Sequence, residues 1–296
     1  MEIAAGAGRT ARRAATGMRA PRDKAIGVFD SGVGGLTVVK AVMDRLPGED
    51  IVYFGDTARV PYGSKSPETV MRFAREDLAL LEARDVKMIV IACNTASSVA
   101  LPALAVEERL PVTGVLLPGA RAAAGVTSGG RVAVIGTTAT IRSGAYERAL
   151  EDIAPGIEVV SLACPLFVSL AEEGWTEGEV AELVARRYLE PLSGAGVDTL
   201  VLGCTHYPLL HGVISKVMGS DVTLVDSATE TAADVERILD RHGLRRGRDD
   251  GGRVEVLLSD IPYGFRDIGE RFLGRPMDSV EREVTGAGEV KSVAET

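Results

Sequence analysis

The chain has 296 residues, 46% of them hydrophobic and 25% charged, the balance of a soluble globular protein with room for two ordinary domains. Its net charge of −9 argues against nucleic acid or an anionic membrane as a standing partner, because phosphate recognition needs clustered positive charge. A small anionic substrate needs only a local pocket of donors and stays open. No apolar stretch reaches the roughly 18–20 residues that span a bilayer. The three cysteines, Cys93, Cys164 and Cys204, make neither a CxxC pair nor a disulfide framework, so a reducing cytoplasm is the expected setting.

Residues 1–24 are basic and rich in Ala and Gly, without the apolar block of a secretory signal, and are expected to be a disordered leader. Met18 is a candidate start inside it. Strand-like runs follow at 25–29, 51–54, 87–92, 112–116, 131–136, 157–160, 199–203, 222–225 and 254–258. Segments of helical period separate most of them. Ser66-Pro67-Glu68 is a strong helix start, with Val70, Phe73, Ala74, Leu78 and Leu81 on one face. A second helix is expected from Thr229 to His242, closed by Gly243. The charged stretch 245–253 reads as a surface loop, and 276–296 as a flexible tail.

Alternation of nearly continuous apolar strands with helices implies an α/β protein whose parallel sheets are covered on both faces. A faint repeat relates 25-AIGVFDSGVGGLTVV-39 to 131-RVAVIGTTATIRSGAY-146, and each leads on to a strand ending in a cysteine. Two similar lobes account for this. The expected division is 25–117 plus 227–275 for lobe one, which is then discontinuous, and 118–226 for lobe two.

Ligands in open parallel sheets bind outside the carboxyl ends of the strands. Cys93 and Cys204 both fall there, each ahead of a short polar pair, in 88-MIVIACNTASS-98 and 200-LVLGCTHYPLL-210. Cysteines are often simply buried, which suits Cys164 but not a matched pair. Asp30 ends the first strand before the glycine-rich turn Ser31–Gly35, and 55-GDTARVPYGSKS-66 is a polar, turn-rich segment. His206 lies two residues after Cys204, where a proton-transfer or electrostatic partner is a better reading than a metal ligand, since further ligands at usable spacing are missing. Glu172 reads as a helix-face acid unless the fold brings it to the cleft. Inverting a stereocentre requires a base on one face of a carbon and an acid on the other, exchanging roles in reverse. Two equivalent thiols suit that task. The residues therefore lean towards a racemase or epimerase, with a ligand-binding protein on the same scaffold and a thiol redox protein as competing readings.

The motifs 30-DSGVGGLTV-38, 55-GDTARVPYG-63, 93-CNTAS-97, 136-GTTATIRSGAY-146, 164-CPLFVSLAEEGW-175, 203-GCTHYPLL-210 and 226-DSA-228, in this order, resemble those of the glutamate racemases, within the aspartate/glutamate racemase superfamily. The resemblance implies two pseudo-symmetric flavodoxin-like lobes with the active site in the cleft between them. It implies cofactor-independent interconversion of L- and D-glutamate, supplying D-glutamate for peptidoglycan. It makes Cys93 and Cys204 the acid/base thiols, with Asp30 assisting the first and His206 and Glu172 the second. Ser31, Tyr62 and Gly63 would surround a substrate carboxylate, and Asn94, Thr95, Thr137, Thr140 and Thr205 would be further donors. No cofactor and no metal are expected. A homodimer, a regulatory cell-wall precursor and a contact with DNA gyrase are partners known among such proteins, and no residue here specifies any of them. Ser169 and the stretch 259-SDIPYGF-265 depart from the usual pattern.

Overall fold

The computed structural model describes residues 20–247 and 251–283. Most of the expected leader, the centre of the charged loop and the last part of the expected tail lie outside the described residues. Among the described residues there are ten strands: β1 (Ile26–Asp30), β2 (Ile51–Gly55), β3 (Met88–Ile91), β4 (Val112–Gly114), β5 (Arg131–Gly136), β6 (Glu158–Ala163), β7 (Thr199–Gly203), β8 (Thr223–Asp226), β9 (Val254–Leu258) and β10 (Val280–Arg282). They form two wholly parallel sheets, ordered β10-β9-β2-β1-β3-β4 and β6-β5-β7-β8.

The nine strand-like runs of the sequence all lie on strands. β1, β2, β3 and β7 are buried along their whole length, as expected of strands covered on both faces. Val28, Ile51 and Val90 pack on one side of the first sheet, Phe29, Phe54 and Ile91 on the other. Each such side chain contributes about 1.5–3 kcal/mol by leaving water. The second sheet is covered on both faces likewise. The expected tail is corrected in part: Val280–Arg282 are paired with Val256–Leu258, as strand β10 on the edge of the first sheet.

Ser66 caps the helix Pro67–Ala83, its hydroxyl accepting the Thr69 N–H, and the stripe foreseen from the sequence faces the core. Asp226, at the end of β8, caps the helix Ser227–His242, which packs against both Leu36–Arg45 and Leu116–Val126. That helix starts two residues earlier than expected because the aspartate supplies the cap. After it the chain returns to the first sheet, where β9 pairs with β2.

The strands β2-β1-β3-β4 and β6-β5-β7-β8 have the same order. In each sheet the connections diverge on either side of the first-made strand, β1 or β5, which makes a switch point at the carboxyl ends of β1/β3 and of β5/β7. Asp30 and Cys93 stand at one of these points. Gly136 and Cys204 stand at the other.

Candidate active site

Asp30 is 1% exposed, and one of its oxygens accepts the Gly32 N–H at 3.1 Å. The other, Oδ1, is buried without a partner. Burial pushes this carboxyl above its usual range, opposed by the charge of His206 and by the N–H groups of Gly35, Gly32 and Ser31. Cys93 follows β3 and caps the helix Asn94–Val99, its sulfur accepting the Ala96 N–H at 3.5 Å. Its thiol reaches Ser31 Oγ at 3.6 Å. Burial raises it to about 12, and the charge of Asp30 acts the same way against the Ala96 and Ser31 hydrogen bonds, with a further upward push from Cys204. The two thiols are thus near enough to feel each other's charge.

Cys204 has different neighbours. Its sulfur lies 3.8 Å from His206 Nδ1, and His206 Nε2 lies 3.0 Å from Glu172 Oε1. Burial works to lower the His206 pKa, but the hydrogen bonds to Cys204 and Glu172 prevail and hold it at about 10, so the ring is an imidazolium at neutral pH. Glu172 lies in the last turn of the helix Leu166–Glu173, which brings it to His206. Phe272 packs edge-on against the His206 ring, centroids 5.1 Å apart.

The glycine-rich turn after β1 touches the Cys204 loop across the interface. Thr37 donates to the Thr205 carbonyl at 3.1 Å, and a Cβ on Gly34 would lie 2.2 Å from Thr205 Oγ1 and 2.5 Å from His206. Only glycine permits that approach. Gly63 meets Thr137 in the same way, at 2.7 Å from its Cβ. Thr95, Thr137 and Thr140 form a triangle of hydroxyls at 2.9, 3.2 and 3.0 Å. Asn94 accepts from Tyr146 and leaves its Nδ2 buried without a partner.

Of the expected site residues, Asp30, Ser31, Cys93, Asn94, Thr95, Thr137, Thr140, Glu172, Cys204, Thr205 and His206 gather at the two switch points and the interface between them. The Tyr62 side chain does not join them. It is 1% exposed, and its hydroxyl lies between Asp56 and, at 2.9 Å, Asp77, with one proton to donate to the pair, in a cluster that Arg59 closes with ion pairs to Asp56, Glu76 and Asp77. Burial, together with the neighbouring charge of Asp56, lifts Asp77 well above the carboxylate range, with Arg59 opposing. Only the backbone of Tyr62, beside Gly63, is left for a ligand. Sequence reading passed over Asp77, although an acid within the apolar stripe Phe73-Ala74-Leu78-Leu81 is a signal of a buried partner.

Among the described residues no group of three or more His, Cys, Asp or Glu is disposed to hold a metal, and no helix is long and apolar enough to cross a membrane. A groove of ≈ 580 Å³ opens behind His206, lined by Thr37, Lys40, Leu209, Arg271 and Phe272, and neither thiol lines it.

Twin parallel sheets that present one thiol each, at equivalent switch points, define an α/β protein of two like halves. The chain belongs to the Asp/Glu/hydantoin racemase family, whose model matches residues 36–235. It is 59% identical over 257 residues to a glutamate racemase of Geobacter metallireducens, covering 87% of this chain and 95% of that one. A glutamate racemase of Francisella tularensis, solved with D-glutamate, superposes with a TM-score of 0.83 at 39% identity, covering 90% of this chain and 98% of that one. One from Thermus thermophilus, solved with β-chloro-D-alanine, gives 0.81 at 49% identity over 89% and 98%.

Proposed function

We propose that the protein interconverts L- and D-glutamate by cofactor-independent proton transfer between two thiols, and that it supplies D-glutamate for peptidoglycan in the cytoplasm. The observation that carries this reading is the pairing of Cys93 and Cys204 at equivalent switch points, within electrostatic reach of each other. Relatives named glutamate racemase support the substrate.

One thiolate takes the α-proton from one face of the carbon while the other thiol delivers a proton to the opposite face. The imidazolium of His206, 3.8 Å from Cys204, stabilises negative charge on that sulfur when it holds no proton. Cys93, buried beside Asp30, rests as the thiol and is the proton donor. When the direction reverses the two exchange roles.

The α-carboxylate gains charge as the proton leaves. Donors already oriented in a dry site lower the barrier to that step. Asn94 Nδ2, the Thr95–Thr137–Thr140 hydroxyls and the Tyr62 and Gly63 amides are the donors available for the two carboxylates. Both thiols are nearly sealed, at 5% and 6% exposure, so substrate enters and leaves as the two halves part.

Circular dichroism of L-glutamate and of D-glutamate, each incubated with purified protein alone, tests the reading. Both signals should decay to zero. A flat signal from reduced, folded protein overturns it, and decay with aspartate instead would correct the substrate.

A further inference from the structure

Tyr146 lies on the helix Ala145–Ile153, on the second-sheet side of the interface, and is 1% exposed. A phenol so deeply buried needs an acceptor for its proton. Its hydroxyl crosses to the first-sheet side and donates to Asn94 Oδ1 at 2.7 Å. Asn94 is the residue directly after Cys93 and is 2% exposed. Its Nδ2 is one of the few buried polar side-chain atoms with no partner.

The orientation of the amide follows from hydrogen-bond bookkeeping. Turned over, the amide would point its NH2 at Tyr146 and leave the phenol proton without an acceptor. In the orientation present, the phenol is satisfied and the amide nitrogen, with its two N–H donors, is left buried without a partner on the residue next to Cys93. An unpaired buried donor is costly unless a ligand completes it. A carboxylate oxygen is the complement of an amide N–H2 held in this way.

We propose that Tyr146 is a positioning residue for the reaction: its hydroxyl fixes the Asn94 amide so that Nδ2 is presented to a substrate carboxylate. This rests on the proposed function for the presence of a carboxylate at Asn94. Because the two residues come from opposite sides of the interface, the donor is set only when the halves are together. Opening frees the amide to turn, and closure over substrate locks it.

A double-mutant cycle on the full-length protein, read as kcat/KM for glutamate, tests this. Tyr146→Phe removes only the oxygen and should lower kcat/KM about tenfold, the scale of one hydrogen bond to a charged group. Asn94→Ala should lower it at least as much. Added to Asn94→Ala, Tyr146→Phe should cost nothing more, because the residue through which it acts is gone. A merely structural tyrosine would cost the same in both backgrounds, and that result overturns the proposal, as does a silent Tyr146→Phe. If Asn94→Ala does not fold, Asn94→Ser, which lacks a rotatable amide, takes its place. The wild-type rate is measured alongside. Absence of wild-type turnover overturns the proposed function and this role with it, whereas normal wild-type turnover with multiplying costs overturns the role of Tyr146 alone.

Discussion

The carboxyl ends of the two sheets are alike in backbone and opposite in charge. Both have a thiol after the third strand in the order and a small-residue turn after the first. Cys93, however, faces a buried carboxyl and a serine, while Cys204 faces an imidazolium held by Glu172. Repetition of a fold unit thus places one thiol at each switch point. Divergence of a few side chains gives the two sulfurs different charged neighbours. The difference cannot favour one enantiomer at equilibrium, since mirror-image amino acids have equal free energy.

The largest effect that would break this comparison is loss of either thiol. Cys93→Ala and Cys204→Ala should each lower kcat/KM by about 10²–10⁴-fold, the usual contribution of a positioned acid or base. Within each variant the factor must be the same for both enantiomers. Exchange of the α-hydrogen with deuterium from solvent, followed by NMR, should separate the two ends: each variant should retain slow exchange of one enantiomer only, and the two variants opposite ones. Exchange of both enantiomers by a single-thiol variant would refute a one-thiol-per-face mechanism.

Contact between the two ends is sharpened by Gly34→Ala. Its methyl would fall within 2.5 Å of Thr205 and His206, so the loop carrying His206 must shift. A 1 Å displacement of catalytic groups costs on the order of 10²-fold. Assays and melting curves together should show activity falling far more than stability. A variant of normal activity would mean that the loops do not need this approach.

A smaller, structural contrast lies wholly on the first-sheet side. Tyr62→Phe removes the hydroxyl that Asp56 and Asp77 share and should cost about 1–3 kcal/mol in urea unfolding. Asp77→Asn should cost less, because burial and the charge of Asp56 favour the protonated form of this carboxyl, which an amide resembles. Equal losses would show Asp77 to be ionised.

The smallest effect concerns pH. His206 is raised from 6.5 to about 10, so its contribution to stability is complete below about 6.5 and is lost as pH rises through about 10. Glu172→Gln weakens one of the two hydrogen bonds responsible and should flatten the fall in melting temperature between those limits. An unchanged slope would assign the shift to Cys204 alone.

Much of this was legible in the sequence. The apolar runs marked nine strands because parallel strands buried on both faces need no alternation to be seen. β10 escaped because three residues on a sheet edge carry no periodicity. The thiol pair was legible from its matched frames, and Glu172 from the resemblance, whereas its place on a helix face said nothing of His206. The bonds of the Tyr62 side chain were not legible, because its partners, Asp56 and Asp77, belong to a loop and a helix whose meeting depends on tertiary packing. Tyr146 drew no notice for a related reason, since its hydrogen bond spans two elements 52 positions apart.

The return of the chain to the first sheet has a consequence for biosynthesis. The second sheet is made from the unbroken stretch 131–226, but the first waits for β9 and β10, which come after it. On the ribosome the second sheet is therefore complete while β2 is still an unpaired border. A product terminated before Val254 carries that border exposed, ready to pair with another chain. Incomplete synthesis then yields a sticky fragment, and β9, backed by β10, is what covers that border.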